Sequence, residues 1–186
     1  SDNTSATAGL NTITFSTLSD ATYSNCTITV TDSAGNANSA FSVNTFVVDT
    51  TAPTVNSVAI TSASGVQNSL LNAGDNVSVT ATFSEAVIVD NSSGNPYLIL
   101  VVGSGLWNTR AASYTSGDSS TQLVFQYKIL AGETDSDGIS IGANALTLNS
   151  GTIRDAASNN ATLTHGVVSA NSGYKVDTTL PTVSSV

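Results

Sequence analysis

Residues 76–83 read "NVSVTATF". Val77, Val79, Ala81 and Phe83 occupy every second position, with Ser78, Thr80 and Thr82 between them. An extended chain puts the four apolar side chains on one face and the hydroxyls on the other. "LVFQYKI" at 123–129 repeats the pattern, with Leu123, Phe125, Tyr127 and Ile129 on one face and Lys128 on the other. Two half-buried strands whose apolar faces meet in one core predict an all-β fold.

Outward from these two stretches, short runs of Val, Ile, Leu, Thr and Tyr recur between clusters of Gly, Asn, Asp and Ser, which is strand-and-turn chemistry. Strands are expected near 54–61, 76–83, 97–102, 107–114, 123–130, 145–154 and 162–176, the spacing of an antiparallel β-sandwich. No stretch sustains a helical period, and "AGETDSDGISIGANAL" at 131–146 is the one place where a short helical turn would fit.

The 186 residues carry 9% charged side chains and a formal net charge of -9, with Arg110, Lys128, Arg154 and Lys175 the four basic residues. Such a surface repels phosphate backbones and anionic headgroups, so neither nucleic acid nor direct membrane insertion is expected. No run approaches the roughly 18 apolar residues of a spanning helix, and the first residues lack the basic and apolar regions of a signal peptide. Export would then be signalled elsewhere in a longer chain, or the segment is trimmed. The lone Cys26, in "YSNCTITV", reads as a buried small hydrophobe and excludes an intramolecular disulfide.

One segment occurs twice: "VVDTTAPTVNSV" at 47–58 and "KVDTTLPTVSSV" at 175–186, an offset of 128 residues that aligns Asp49 with Asp177 and Pro53 with Pro181. A period this long indicates whole domains in tandem. Proline cannot donate to a ladder and keeps its predecessor extended, so each copy reads as a short Pro-containing linker. Residues 1–49 are then the C-terminal part of an upstream repeat, 50–176 a complete sandwich domain, and 177–186 the linker and first strand of the next. The first part offers three alternating stretches, "LNTITFSTL", "TYSNCTITV" and "FSVNTFVVD", too few to be stable alone. Upstream sequence or pairing with another chain is expected to complete it.

"VDTTAPTV", "VSVTATFSEAV", "ETDSDGISI" and "RDAASNNATL" resemble the tandem immunoglobulin-like, or cadherin-like, extender repeats of very large bacterial surface adhesins. The likeness covers about residues 50–186, and "TITFSTLSDATYSNCTITVTDSAGNAN" resembles the end of a related repeat. It implies immunoglobulin-like sandwiches in a secreted, extracellular protein of the bacterial cell surface. Their partners would be neighbouring repeats, calcium would stiffen the junctions, and any host-surface or glycan ligand would be bound through other domains.

Alternating strand direction assigns the acidic residues to ends of the sandwich. Glu85, after the second strand, and Asp155, after the sixth, fall at the end where Asp49 enters. Glu133, Asp135, Asp137 and Asp177 fall at the other. Converging carboxylates repel unless a cation compensates. With so few Lys and Arg, a hard dication is expected, and oxygen-only ligands favour Ca2+. "ETDSDG" at 133–138 spaces its acids at i, i+2 and i+4 before Gly138, like the first half of an EF-hand loop. It departs from that loop at Glu133, where Asp is usual, and at Asn144, where the bidentate Glu would stand, so Asp177 and a following domain would have to complete the site. Asp32 and Asn36 of "TDSAGN" are weaker candidates. The competing reading is that all these residues are solvated turn formers.

No nucleophile–base pair, phosphate-cradling loop or zinc spacing is present, and no enzyme is expected. His165, the single histidine, lies on an expected strand. Lys128 points away from the expected core, which disfavours an intramolecular isopeptide bond. The rival to a spacer is a carbohydrate- or protein-binding module using "NSSGNPY" and "GSGLWNTR", where Trp107 and Tyr114 could stack on a ligand.

Overall fold

A computed structural model describes residues 5, 7, 9–103 and 108–184. The chain forms two compact units, Ser1–Thr51 and Ala52–Val186. Both are built of β-strands, and the described residues contain no helix, so 131–146 hides no helical turn.

The first unit has β1 (Ala21–Tyr23), β2 (Thr27–Ile28), β3 (Phe41–Ser42) and β4 (Phe46–Val48). They pair antiparallel as β1 with β4 and β2 with β3. "LNTITFSTL" forms no strand. "TYSNCTITV" breaks into β1 and β2 at a bend on Asn25. Cys26 sits in that break and is half-exposed, not buried as the sequence suggested. The packing that exists is aromatic: the Tyr23 and Phe46 rings stack with centroids 5.2 Å apart, and Phe15 lies 6.0 Å from Phe46.

The second unit is an all-β, sandwich-type fold. In order come β5 (Val55–Ser64), β6 (Leu70–Leu71), β7 (Asn76–Asp90), β8 (Tyr97–Val101), β9 (Thr109–Ser116), β10 (Ser120–Lys128), β11 (Thr134–Asp135), β12 (Leu146–Thr147), β13 (Thr152–Arg154) and β14 (Lys175–Asp177). One sheet runs β12-β8-β9-β10-β7-β13, with β5 also on β7, and a second runs β11-β14-β6. The two stretches that set the fold class lie side by side: Leu123 faces Ala81, Phe125 faces Val79 and Tyr127 faces Val77. All six are at most 9% exposed. Burying a side chain the size of Phe125 stabilises the fold by about 2–3 kcal/mol, whereas Lys128, on the opposite face, is exposed. Leu98, Leu100 and Ala112 extend the core under β8 and β9, Leu71 and Val176 close it from the smaller sheet, and Ile139 and Ile141 add to it from the segment after β11.

Two expected strands are broken. The 145–154 stretch becomes β12 and β13, because Asn149 and Ser150 take positive φ (51° and 69°) and turn the chain. The 162–176 stretch keeps only β14, with single bridges at Thr162 and Val168. A turn through 172–173 interrupts it, its backbone tied by Tyr174 N to Asn171 O at 2.9 Å.

One edge of β7 is shared in a way that shapes the site. Residues 76–83 of β7 pair with β5, and 88–90 pair with β13. Between them the edge opens into a notch, and the chain enters the unit there. Ser84 N donates to Thr54 O (2.8 Å), Thr54 N donates to Ser84 Oγ (3.0 Å), and Thr162 N donates to Pro53 O (2.7 Å).

Candidate metal centre

Glu85 is the β7 residue inside the notch, and Asp155 is the first residue beyond β13 on its border. They are 70 positions apart, and carboxylate oxygens of the two lie within 4.8 Å of each other. Asp155 is 3% exposed, and Glu85 is half-buried. Asp155 is held by its own loop: Asn159 N donates to Oδ1 (2.8 Å) and Asn159 Nδ2 to Oδ2 (2.7 Å). Burial pushes the Asp155 carboxyl up, but the bonds from the Asn159 side chain and from backbone amides outweigh it and hold it below the ordinary 3.8. It is therefore an anion at neutral pH. A carboxylate pair offers only hard oxygen donors and negative charge, so the donor set fits a hard, oxygen-seeking dication.

The same loop is built in the first unit. Asn36 N donates to Asp32 Oδ1 (2.8 Å) and Asn36 Nδ2 to Asp32 Oδ2 (2.9 Å). Asp32 N reaches Asn36 O as Asp155 N reaches Asn159 O, at 2.9 and 3.1 Å. Gly35 (φ 89°) and Ser158 (φ 75°) take the matching left-handed turn. Asn36 chiefly lowers the Asp32 carboxyl too. The pattern D-x-A-[GS]-N, "DSAGN" and "DAASN", is thus one turn occurring twice.

The repeated segment also keeps its local geometry. Asp49 Oδ1 accepts Thr51 N at 3.0 Å, and Asp177 Oδ1 accepts Thr179 N at 2.9 Å, the same Asx turn. The first threonine of each "DTT" is tied down as well. Thr50 N and Oγ1 donate to Asp20 Oδ1 (3.0 and 2.7 Å). Thr178 Oγ1 donates to Glu133 O and accepts Gly132 N, both at 2.9 Å.

At the exit end, the acids named from the sequence take different roles. Glu133 turns inward: its Oε1 accepts the Arg110 guanidinium Nε and the Tyr127 hydroxyl, and its Oε2 accepts Leu130 N at 2.9 Å. Burial, then the Glu133 bond, pushes the Tyr127 phenol far up, and the same carboxylate raises Arg110. Asp135 also turns inward, 3% exposed, and caps Gly103 N and Gly138 N, each at 2.7 Å. Gly138 (φ 104°) makes the sharp turn that the EF-hand spacing anticipates, and it closes that turn around Asp135. Asp135, Asp137, Lys175 and Asp177 line one open cavity of about 330 Å³. Among the described residues, no three of Glu133, Asp135, Asp137 and Asp177 bring carboxylate oxygens within 4.8 Å of one another.

Tyr114 is half-buried and packs edge-on to Phe125, with centroids 5.9 Å apart, while Trp107 lies outside the described residues. His165 is a packing residue: Ala145 N donates to its Nε2 (2.8 Å), and its Nδ1 faces Gly166 O (2.8 Å), the neutral Nδ1–H tautomer. Sequence reading overlooked Arg110, Tyr127 and Thr178. Signals existed for two of them, since Arg110 is one of four cations and Thr178 lies in the repeated segment. Compared with known proteins, the chain matches no family model, no curated sequence and no solved structure.

Proposed function

We propose that this chain is a non-catalytic extender segment of a bacterial surface adhesin, built of immunoglobulin-like repeats and stiffened by calcium at their junctions. The observation that carries the reading is the recurrence of one exit, the Asx turn and anchored threonine of "DTT", together with one turn, D-x-A-[GS]-N, in both units. A structure that repeats its exit and its turn suits a spacer.

The ion would be held first by Glu85 and Asp155. Asp49 stands five residues before Thr54, which is fastened at the notch. Five residues reach at most about 18 Å, so the linker can deliver that carboxylate as a third ligand. At the exit, Asp135, Asp137 and Asp177 would serve with acids of a following repeat. Glu133 is left out of that set, because Arg110 already neutralises it.

Thermal unfolding and small-angle scattering with calcium and with chelator test the reading. At a hundredfold excess over Kd, an ion bound only by the folded state adds about 2.7 kcal/mol. That is roughly 5–12 °C for a unit of this size, and Asp155→Asn with Glu85→Gln should remove it. Identical melting temperatures and dimensions in both buffers rule out the calcium role.

A further inference from the structure

We propose a mechanical role for the repeated "DTT": its first threonine is a latch that lets the second unit carry tension along its strands. The inference adds to the spacer reading but does not depend on calcium.

Strand geometry supplies the first half of the argument. The chain enters at Val55, opposite Phe83, and β5 then runs ten residues to Ser64, opposite Asn76. Lys128 also lies opposite Asn76, and the segment just beyond it carries Thr134, opposite Asp177. Entry and exit are thus displaced along the strand axis by the stretch of β7 from Phe83 to Asn76, about 23 Å. Tension between them pulls β5 and β14 lengthwise, so the hydrogen bonds beside each strand must fail together. Pulling β5 sideways would instead break them one at a time.

The entry is well fastened. Eight register pairs tie β5 to β7, and Pro53 and Val55 bond Thr162 on the other side. The exit has much less. β14 is three residues long and holds two register pairs with β11 and two with β6. Left to these, it would slip first.

Thr178 reinforces that point. Its hydroxyl bonds Gly132 N and Glu133 O, and Glu133 is anchored to β10 through Tyr127 and to β9 through Arg110. Load leaving through the linker therefore passes into the large sheet. Thr50 makes the corresponding attachment in the first unit, to Asp20. Both copies of the segment thus anchor their first threonine, each to a different receiving residue.

Single-molecule pulling on the full chain, carrying Cys26→Ser and handles at its two ends, tests this in chelator. Unfolding of the larger unit should need at least about twice the force required with one handle moved to Val66→Cys, which peels β5. Thr178→Val should raise the end-to-end unfolding rate about tenfold, as expected for losing a half-buried hydroxyl that makes two hydrogen bonds. It should leave the peeling rate unchanged, and Thr178→Ser should restore the parent rate. Equal forces in the two geometries, or a Thr178→Val rate within twofold of the parent, overturn the proposal. A chain that ignores calcium but shows the latch refutes the junction ion alone.

Discussion

Arg110 and Glu133 allow a sharp test of how this acidic chain tolerates a charge in its interior. The Glu133 side chain is 4% exposed and the Arg110 side chain 30%. Arg110→Ala leaves the carboxylate with the Tyr127 hydroxyl and Leu130 N but no countercharge. Breaking a fully buried pair costs about 3–5 kcal/mol. Because Arg110 is part-exposed and two donors remain, about 2–3 kcal/mol is expected at pH 7. Adding Glu133→Gln removes the stranded charge, and its amide oxygen can accept Leu130 N while its amide nitrogen donates to the Tyr127 hydroxyl oxygen, so the double variant should regain at least about 1 kcal/mol over Arg110→Ala. Urea denaturation followed by circular dichroism, read on the transition of the larger unit, measures all four corners of the cycle. If the double variant is no more stable than Arg110→Ala, Glu133 needs no countercharge and the reasoning fails.

Gly138→Ala should cost at least about 3 kcal/mol, because a Cβ there would meet Asn171 O at 2.0 Å at φ 104°. Gly132→Ala has nothing within 4 Å and only the strain of φ 91°, about 1–2 kcal/mol; equal losses in urea melts would contradict this. Phe125→Ala should cost about 3–5 kcal/mol and Lys128→Ala less than about 0.5 kcal/mol by the same assay. Asp20, Asp32, Asp90 and Asp155 are all held below the ordinary 3.8, chiefly by hydroxyl and amide donors, with burial opposing at each. Groups lowered on folding contribute stability that is complete above the unfolded value and is lost as pH falls through the folded one. Melting temperature should therefore hold from pH 7 to about 4.5 and fall below about 4, with Asp155→Asn flattening the acid limb.

Alternation was enough to read the core of the larger unit. Val77, Val79, Ala81 and Phe83 carry their burial in their own spacing, and so do Leu123 to Ile129. Counting strand directions also put Glu85 near Asp155, but for the wrong reason. β7 runs on through Glu85 to Asp90 and β13 lies antiparallel to it. The two acids therefore meet along one edge of β7, not past the ends of two strands running the same way. What counting could not supply is the notch, because it arises where β7 outruns β5 and takes β13 as its next neighbour. Residues 162–176 misled for the opposite reason: before β14 their apolar residues pack through isolated bridges and form no ladder. The Glu133 pairing was hidden by distance along the chain, since Arg110 stands on a different strand and nothing near Glu133 announces a cation.

The two units separate what is encoded locally from what needs a fold. Val30 and Ile153 occupy the same place before the same turn, with Asn38 N on Val30 O and Ala161 N on Ile153 O at 3.0 and 2.9 Å. Ile153 is 2% exposed, because β13 lies along β7, whereas Val30 is 51% exposed. The turn and the "DTT" exit nevertheless keep their form in both. They are held by Asp, Asn and Thr side chains bonding backbone within a few residues or to one neighbouring strand, which takes little core. Burial of an Ile153-like residue takes a long partner strand, which only the larger unit has. On the proposed spacer reading this division is useful: junctions keep their geometry while a sandwich beside them is strained. Linker stiffness should then outlast loss of the adjacent core.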